Sequence, residues 1–182
     1  MTIRLALGLS LAAALAGCSR AASQDFELSF ESEGSAEGIW VLYRFTLHGD
    51  GRVEYFGKRG VKLLGKQEGR IDPSKARELL AGTERLHFLD LKGDYSPKGW
   101  SDLYCFELSL RDGERRNSVG LASFHPPEED WKPRTPEEEI GAQLDAFSME
   151  LERAVNVQQW IGTPEEVFAN HFWVQRDRDL QR

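Results

Sequence analysis

The sequence predicts an α+β domain: an antiparallel sheet of about five to six strands built from hairpins, with two or three helices packed mainly on one face. Three observations carry this. Apolar and polar residues alternate in several stretches, and period-two alternation marks strands with one buried face. Asp and Gly pairs separate these stretches, as hairpin turns do. Segments with helical start signals lie apart from the strands, the arrangement of an α+β fold rather than of alternating βαβ units.

Phe26, Leu28 and Phe30 alternate with Glu27, Ser29 and Glu31, which gives a first strand ending in a loop from Gly34 to Gly38. In the next strand Ile39, Val41, Tyr43, Phe45 and Leu47 line one face, and Trp40, Leu42, Arg44 and Thr46 line the other. Gly49-Asp50-Gly51 turns the chain, and Val53 and Tyr55 return on the buried side. Val61 to Gln67 predicts a further strand punctuated by glycines. Later, Tyr104, Phe106, Leu108 and Leu110 alternate with Cys105, Glu107 and Ser109, and Asp112-Gly113 turns into a partner strand over Glu114 to Leu121.

Asp72-Pro73 opens a helix, with Asp as N-cap and Pro at the first helical position. Ala76, Leu79 and Leu80 form its apolar stripe, Gly82 weakens or ends it, and Leu86, Phe88, Leu89 and Leu91 make a buried connection. Thr135-Pro136-Glu137-Glu138 starts the main helix with a capping box. Its apolar residues Ile140, Leu144, Phe147, Leu151 and Val155 recur at three and four, the spacing of one helix face. Thr163-Pro164-Glu165-Glu166 repeats that start signal for a short last helix carrying Val167 and Phe168.

The N-terminal residues carry a different kind of information. Arg4 precedes an apolar run from Leu5 to Leu15, followed by small residues and a cysteine. That is the layout of a secretory signal, and the run is too short to span a bilayer, which takes about 20 apolar residues. Leu15-Ala16-Gly17-Cys18 resembles the lipobox of bacterial lipoproteins. The resemblance implies cleavage before Cys18, acylation of that cysteine and anchoring by its lipid. Ser19 is not the aspartate that favours inner-membrane retention, so the outer membrane facing the periplasm is the expected location. The organisation expected is a signal peptide at 1–17, a lipidated N-terminus and short tether at 18–25, one domain at 26–175 and a charged tail at 176–182.

Composition narrows the partners. The 182 residues carry 23 Lys and Arg against 30 Asp and Glu, a net charge of −7. An acidic, interspersed surface argues against nucleic acid and against a basic membrane-binding face. With Cys18 taken by lipid, Cys105 stands alone and no intramolecular disulfide can form.

Four features together look like a numbered, uncharacterised domain of bacterial envelope proteins. They are the D-G-x-V-x-Y-x-G hairpin (Asp50 to Gly57), the Phe-Leu-x-Leu segment (Phe88 to Leu91), the Tyr95 to Asp102 loop and the late Trp160. The similarity covers roughly Phe26 to Trp160. It implies fold and compartment, and no activity comes with it. Members often carry a cysteine segment before the second strand, where this chain has Ser35-Ala36-Glu37-Gly38.

Chemistry-bearing patterns are sparse. Gly57-Lys58-Arg59-Gly60 lies between strands, so it is not a phosphate loop, which needs a following helix N-terminus. His48, His87, His125 and His171 are scattered without ligand spacing, and no metal or cofactor is expected. Cys105 shares its strand face with Glu107, and a neighbouring carboxylate raises a thiol's pKa, so it reads as an inert thiol. Asp94 and Asp102 flank an aromatic loop and are the pair to test for acid–base work. The aromatic loop residues Tyr95, Trp100, His125 and Trp131 are the candidate binding residues, because Trp and Tyr concentrate in binding hot spots. The leading expectation is a non-enzymatic envelope lipoprotein, held to the membrane by its lipid and binding an envelope protein or glycan. An envelope hydrolase using Asp94 and Asp102 is the alternative, and an inhibitor of an envelope enzyme is a variant of the first.

Overall fold

A computed structural model describes residues 25–36, 39–96, 105–122 and 135–169. The strands are β1 (Phe26–Ala36), β2 (Ile39–His48), β3 (Arg52–Arg59), β4 (Gly65–Arg70), β5 (Cys105–Asp112) and β6 (Arg115–Ala122). The helices are α1 (Pro73–Arg85), α2 (Pro136–Val155) and α3 (Gln158–Ile161), with a 3-10 turn at Phe88–Asp90. Residues 164–169 are also helical. The six strands form one antiparallel sheet in the order β4-β3-β2-β1-β5-β6. The expected α+β fold is the observed one.

Strand order follows from the connections. β1 to β4 run as a meander. The chain then passes through α1 and the 3-10 turn to the far side of the sheet, where β5 pairs with β1 and β6 closes the edge. β1 therefore lies between β2 and β5. Its Phe30 faces Phe45 on one side and Leu108 on the other.

Alternation decides the two faces. Phe26, Leu28, Phe30, Tyr43, Phe45, Leu47, Val53, Tyr55, Leu108 and Leu110 are all buried in one core. Their neighbours point to the opposite side. Phe30 is the hub of an aromatic cluster, with ring centroids 5.3 Å from Phe45, 5.4 Å from Phe106 and 6.0 Å from Tyr43. α1 adds Ala76, Leu79 and Leu80 to this core, and α2 adds Leu144, Phe147, Leu151 and Val155.

The helix starts are those read from the sequence. The Asp72 carboxylate accepts from the Ser74 N–H at 2.7 Å, and the Thr135 hydroxyl accepts from the Glu138 N–H at 3.2 Å. At the last start signal the box is reciprocal: Thr163 Oγ1 accepts from the Glu166 N–H, and Glu166 Oε2 accepts from the Thr163 N–H. Of the pair expected on this helix, Val167 is buried and Phe168 is exposed.

Four local expectations are corrected. β1 continues through Gly34 to Ala36 where a loop was expected, because Ser32 and Gly34 keep the buried parity with small residues that the hydrophobic pattern does not reveal. The fourth strand starts at Gly65 rather than Val61. Gly60 and Gly65 adopt positive φ, and the Lys62 and Leu63 N–H groups donate to Ile161 and Trp160 carbonyls of α3 instead of to a strand. Gly82 does not end α1, which runs to Arg85; Gly82 gives the Phe147 ring of α2 room to approach, since a Cβ there would lie 2.8 Å from it. Finally, α3 itself was not foreseen. It turns Trp160 inward, stacked on Tyr55 at 5.0 Å and lying over Gly69 of β4.

Candidate functional site

The loop expected to carry binding or catalysis is described as far as Ser96. Asp94 forms a bridge to Gly120 of β6, and the Tyr95 N–H donates to the Gly120 carbonyl at 3.2 Å. The Asp94 carboxylate accepts from the Ser96 N–H at 2.9 Å and from the Ser96 hydroxyl, and Ser96 Oγ in turn accepts from the Ala122 N–H. Asp94 thus caps a turn. Tyr95, expected on a loop outside the regular pattern, is buried in the core, with its hydroxyl accepting from the Lys92 N–H. Together these residues lie along β6 and satisfy part of its exposed edge. Asn117 of β6 fastens the same connection by donating to the Phe88 and Leu91 carbonyls at 2.7 and 2.9 Å. Cys18, Trp100, Asp102, His125 and Trp131 lie outside the described residues.

The uncovered face of the sheet is the broadest candidate surface. A shallow depression of about 280 Å³ lies over its middle, with Ser29, Glu31, Arg44, Thr46, Phe56 and Glu107 among its lining. Its polar groups are cross-linked. Ser29 and Thr46 share a hydrogen bond of 2.9 Å, Glu107 accepts from Ser118 at 2.7 Å, and the Arg44 guanidinium sits 5.5 Å from the centre of the Phe56 ring. Further along, Arg111 pairs with Glu27 at 2.6 Å, and that hydrogen bond holds the Glu27 carboxyl below its ordinary pKa. His48 lies between Glu27 and Glu54 at 3.6 and 3.4 Å. Burial, then the positive charge of Arg52, lowers the pKa of its imidazole against the opposing pull of Glu27. Two large apolar side chains stay open here, Trp40 at 46% and Phe56 at 38% exposure. Cys105 is exposed on this face at the start of β5.

On the covered face sits a polar feature that the sequence reading missed. Glu152 of α2 accepts a hydrogen bond from the Tyr43 hydroxyl of β2. Burial raises its pKa above the ordinary carboxyl value, the Tyr43 bond opposes this, and the charge of Asp145 adds to the rise. Asp145 and Ser148 are both buried, and the Ser148 hydroxyl donates to the Asp145 carbonyl at 2.7 Å. A signal for them was present. Asp145, Ser148 and Glu152 recur at three and four, a polar stripe beside the apolar one and so on the same side of the helix.

Among the described residues no group of three or more His, Cys, Asp or Glu is arranged to hold a metal ion. His87 stands alone in left-handed backbone (φ 49°) between α1 and the 3-10 turn. Among the same residues no helix is long and apolar enough to cross a membrane.

Geometry therefore defines a class first: a single-sheet α+β domain with one face covered by helices and, among the described residues, the other left open. Within it, residues 42–131 match a family profile described as Domain of unknown function (DUF6438). The match begins inside β2 and leaves out β1, the strand that joins β2 to β5. The continuous sheet thus needs residues beyond the matched span. A search of curated proteins returns no match.

Proposed function

We propose that this chain is a lipid-anchored protein of the bacterial cell envelope whose α+β domain is a non-enzymatic binding module for another envelope component. The Leu15-Ala16-Gly17-Cys18 sequence behind a short apolar run carries the proposal, because it combines a secretory layout with a cysteine at the cut site. Three acyl chains on Cys18 exceed the two-signal requirement for stable anchoring. Ser19 favours the outer membrane, and a tether of seven residues, at most about 25 Å long, keeps the domain close to the bilayer.

Binding is supported by the open sheet face, where two exposed rings lie in a lattice of paired charges. The aromatic residues Trp100, His125 and Trp131 are the second set of candidate contacts. An envelope protein is the favoured partner, with a glycan as the other class. Catalysis finds less support, since the Asp94 carboxylate is occupied in capping the Ser96 turn.

The test is in-cell crosslinking of the tagged full chain beside Cys18→Ala, with membrane fractionation of both. The proposal expects palmitate labelling and membrane recovery for the parent, with neither for Cys18→Ala. It also expects one recurrent crosslinked protein, lost in Trp40→Ser/Phe56→Ser or in Trp100→Ala/Trp131→Ala. A Cys18→Ala chain that still fractionates with membranes would overturn the anchor. Unchanged crosslinking in both aromatic variants would overturn the assigned surfaces.

A further inference from the structure

The placement of Glu152 works against its charge in four ways. It lies in the last turn of α2, which ends at Val155, where the helix dipole gives a negative pole that disfavours an anion. Its carboxyl is turned toward the sheet, and Asp145, only 7% exposed on the same helix, adds a second negative charge. Among the described residues it forms no ion pair. No cation contributes to its electrostatics: Lys75 of α1 holds Glu150 and Glu78, and Arg153 is exposed. The remaining neighbours are uncharged. β2 presents the Tyr43 hydroxyl, β1 presents Ser32 opposite Tyr43, and β6 turns Val119 and Leu121 to the core.

The same residue also sits where the helix hands over to the next element. Asn156 follows in left-handed backbone (φ 53°), and the Val157 N–H donates to the Glu152 carbonyl at 3.1 Å. Tyr43 stacks on Tyr55, and Tyr55 on Trp160 of α3. A change at the Glu152–Tyr43 contact thus acts at both ends of the α2–α3 junction, through the backbone and through the rings.

We propose that Glu152 is a proton-operated latch between α2 and the sheet: as the neutral acid it holds the last turn of α2 against Tyr43, and as the carboxylate it loosens that contact. The neutral form keeps a hydrogen bond to the phenol without placing an anion at the helix C-terminus; the stronger bond that a carboxylate accepts from Tyr43 is outweighed by its lost hydration. The half-buried carboxylate gains solvation by moving away from the sheet, and α3 with Trp160 follows the turn that carries it. The inference is independent of whether the chain is lipid-anchored.

The test is amide hydrogen exchange of the full chain in detergent at about pH 5 and about pH 7.5, corrected for intrinsic rates, because each pH unit between the two pKa values of a linked group changes the equilibrium by up to tenfold. Amides over residues 150–161 should lose protection at the higher pH, by up to tenfold for each unit by which the Glu152 pKa is raised, while those of β1 change little. Glu152→Gln should hold the protected level at both pH values. His48 titrates on the opposite face and is retained in this variant, so the difference between the two chains isolates Glu152. Protection of residues 150–161 that is independent of pH in the parent, or equally dependent on pH in Glu152→Gln, would overturn the latch. Should Glu152→Gln fail to fold, NMR titration of the Glu152 carboxyl carbon in the parent decides: a midpoint in the ordinary carboxyl range overturns it.

Discussion

The two faces of the sheet are built from alternate residues of the same strands, yet they are held by different forces. On the covered face Phe30, Tyr43, Phe45 and Tyr55 stack in a closed core, where dispersion and removal of apolar surface from water act together. On the open face Glu27, Arg111, Lys58 and Glu31 form ion pairs in contact with solvent, where desolvation is small and the attraction is screened. The covered face therefore carries the stability, and the open face is free to vary and to serve as a surface.

The largest effect that sharpens this contrast is expected at Phe30. Its ring touches three other aromatic rings in the centre of the sheet, so Phe30→Ala should cost about 3–5 kcal/mol as the cavity and lost contacts add. Phe56→Ala, two strands away on the open face, should cost less than about 1 kcal/mol because its ring is already partly in water. Urea unfolding of the two variants measures the ratio directly. Equal losses would mean that the open face contributes to stability as a core does.

Next comes the hairpin that sets the register of both faces. Gly51 has φ 84°, and a Cβ there would stand 2.3 Å from the Ile71 carbonyl oxygen. Both partners in that clash are backbone and cannot step aside. Gly51→Ala should destabilise by about 1–3 kcal/mol, combining left-handed strain with displacement of the segment that leads into α1. Thermal unfolding reads it, and Gly113→Ala at the other hairpin is the control. Gly113 shares the positive φ but has open space around it, so it isolates the conformational part.

A smaller effect is expected at the start of α2, the helix that covers the sheet. Thr135→Ala removes the hydroxyl that accepts the Glu138 N–H, and loss of such a cap costs about 1 kcal/mol. Thr135→Ser should retain most of the stability. Loss of equal size in both variants would show that the side-chain oxygen is not what holds this helix start.

The features legible from sequence were those where one local rule acts alone. Alternation gave the faces of β2, β3 and β5. The Asp72-Pro73 and Thr135-Pro136 pairs gave the helix starts to the residue, because capping depends on the few residues adjoining it. What sequence could not supply arose from long-range partners. Val61 to Leu64 has strand composition, yet its amides are taken by α3, about one hundred residues later. Ser32 looks like the end of an apolar alternation, yet its strand continues because β2 pairs with it as far as Ala36. The polar stripe holding Glu152 is legible on α2, but its partner Tyr43 comes from β2, far away in sequence. Tyr95 reads as a free loop ring until β6 draws its backbone into register.

The smallest effect is expected where the open face looks most ordered. Arg111 and Glu27 are solvent-accessible partners 2.6 Å apart, with a hydrogen bond from the Arg111 Nε–H at 3.2 Å, yet water and salt compete for both. A double-mutant cycle with Arg111→Gln and Glu27→Gln should yield a coupling below any of the losses above, and it should shrink further as salt rises. The lowered Glu27 pKa gives the sign of its pH dependence. The contribution is present above the ordinary carboxyl pKa and fades as pH falls through the folded value. His48, also lowered, adds in the same sense at higher pH: folding favours its neutral form, so stability drops as acid protonates it. Glu152 runs the other way, because its raised pKa makes the folded state hold the proton more tightly than the unfolded chain. Its contribution is complete below the unfolded carboxyl pKa and fades as pH rises through the folded one. Between the carboxyl and imidazole ranges the two faces thus oppose each other, and acid should loosen the His48 lattice while tightening α2 onto the sheet. A stability profile taken with Glu152→Gln and His48→Gln, singly and together, separates the two. If both variants tilt the profile in the same direction, the division of labour between the faces is wrong.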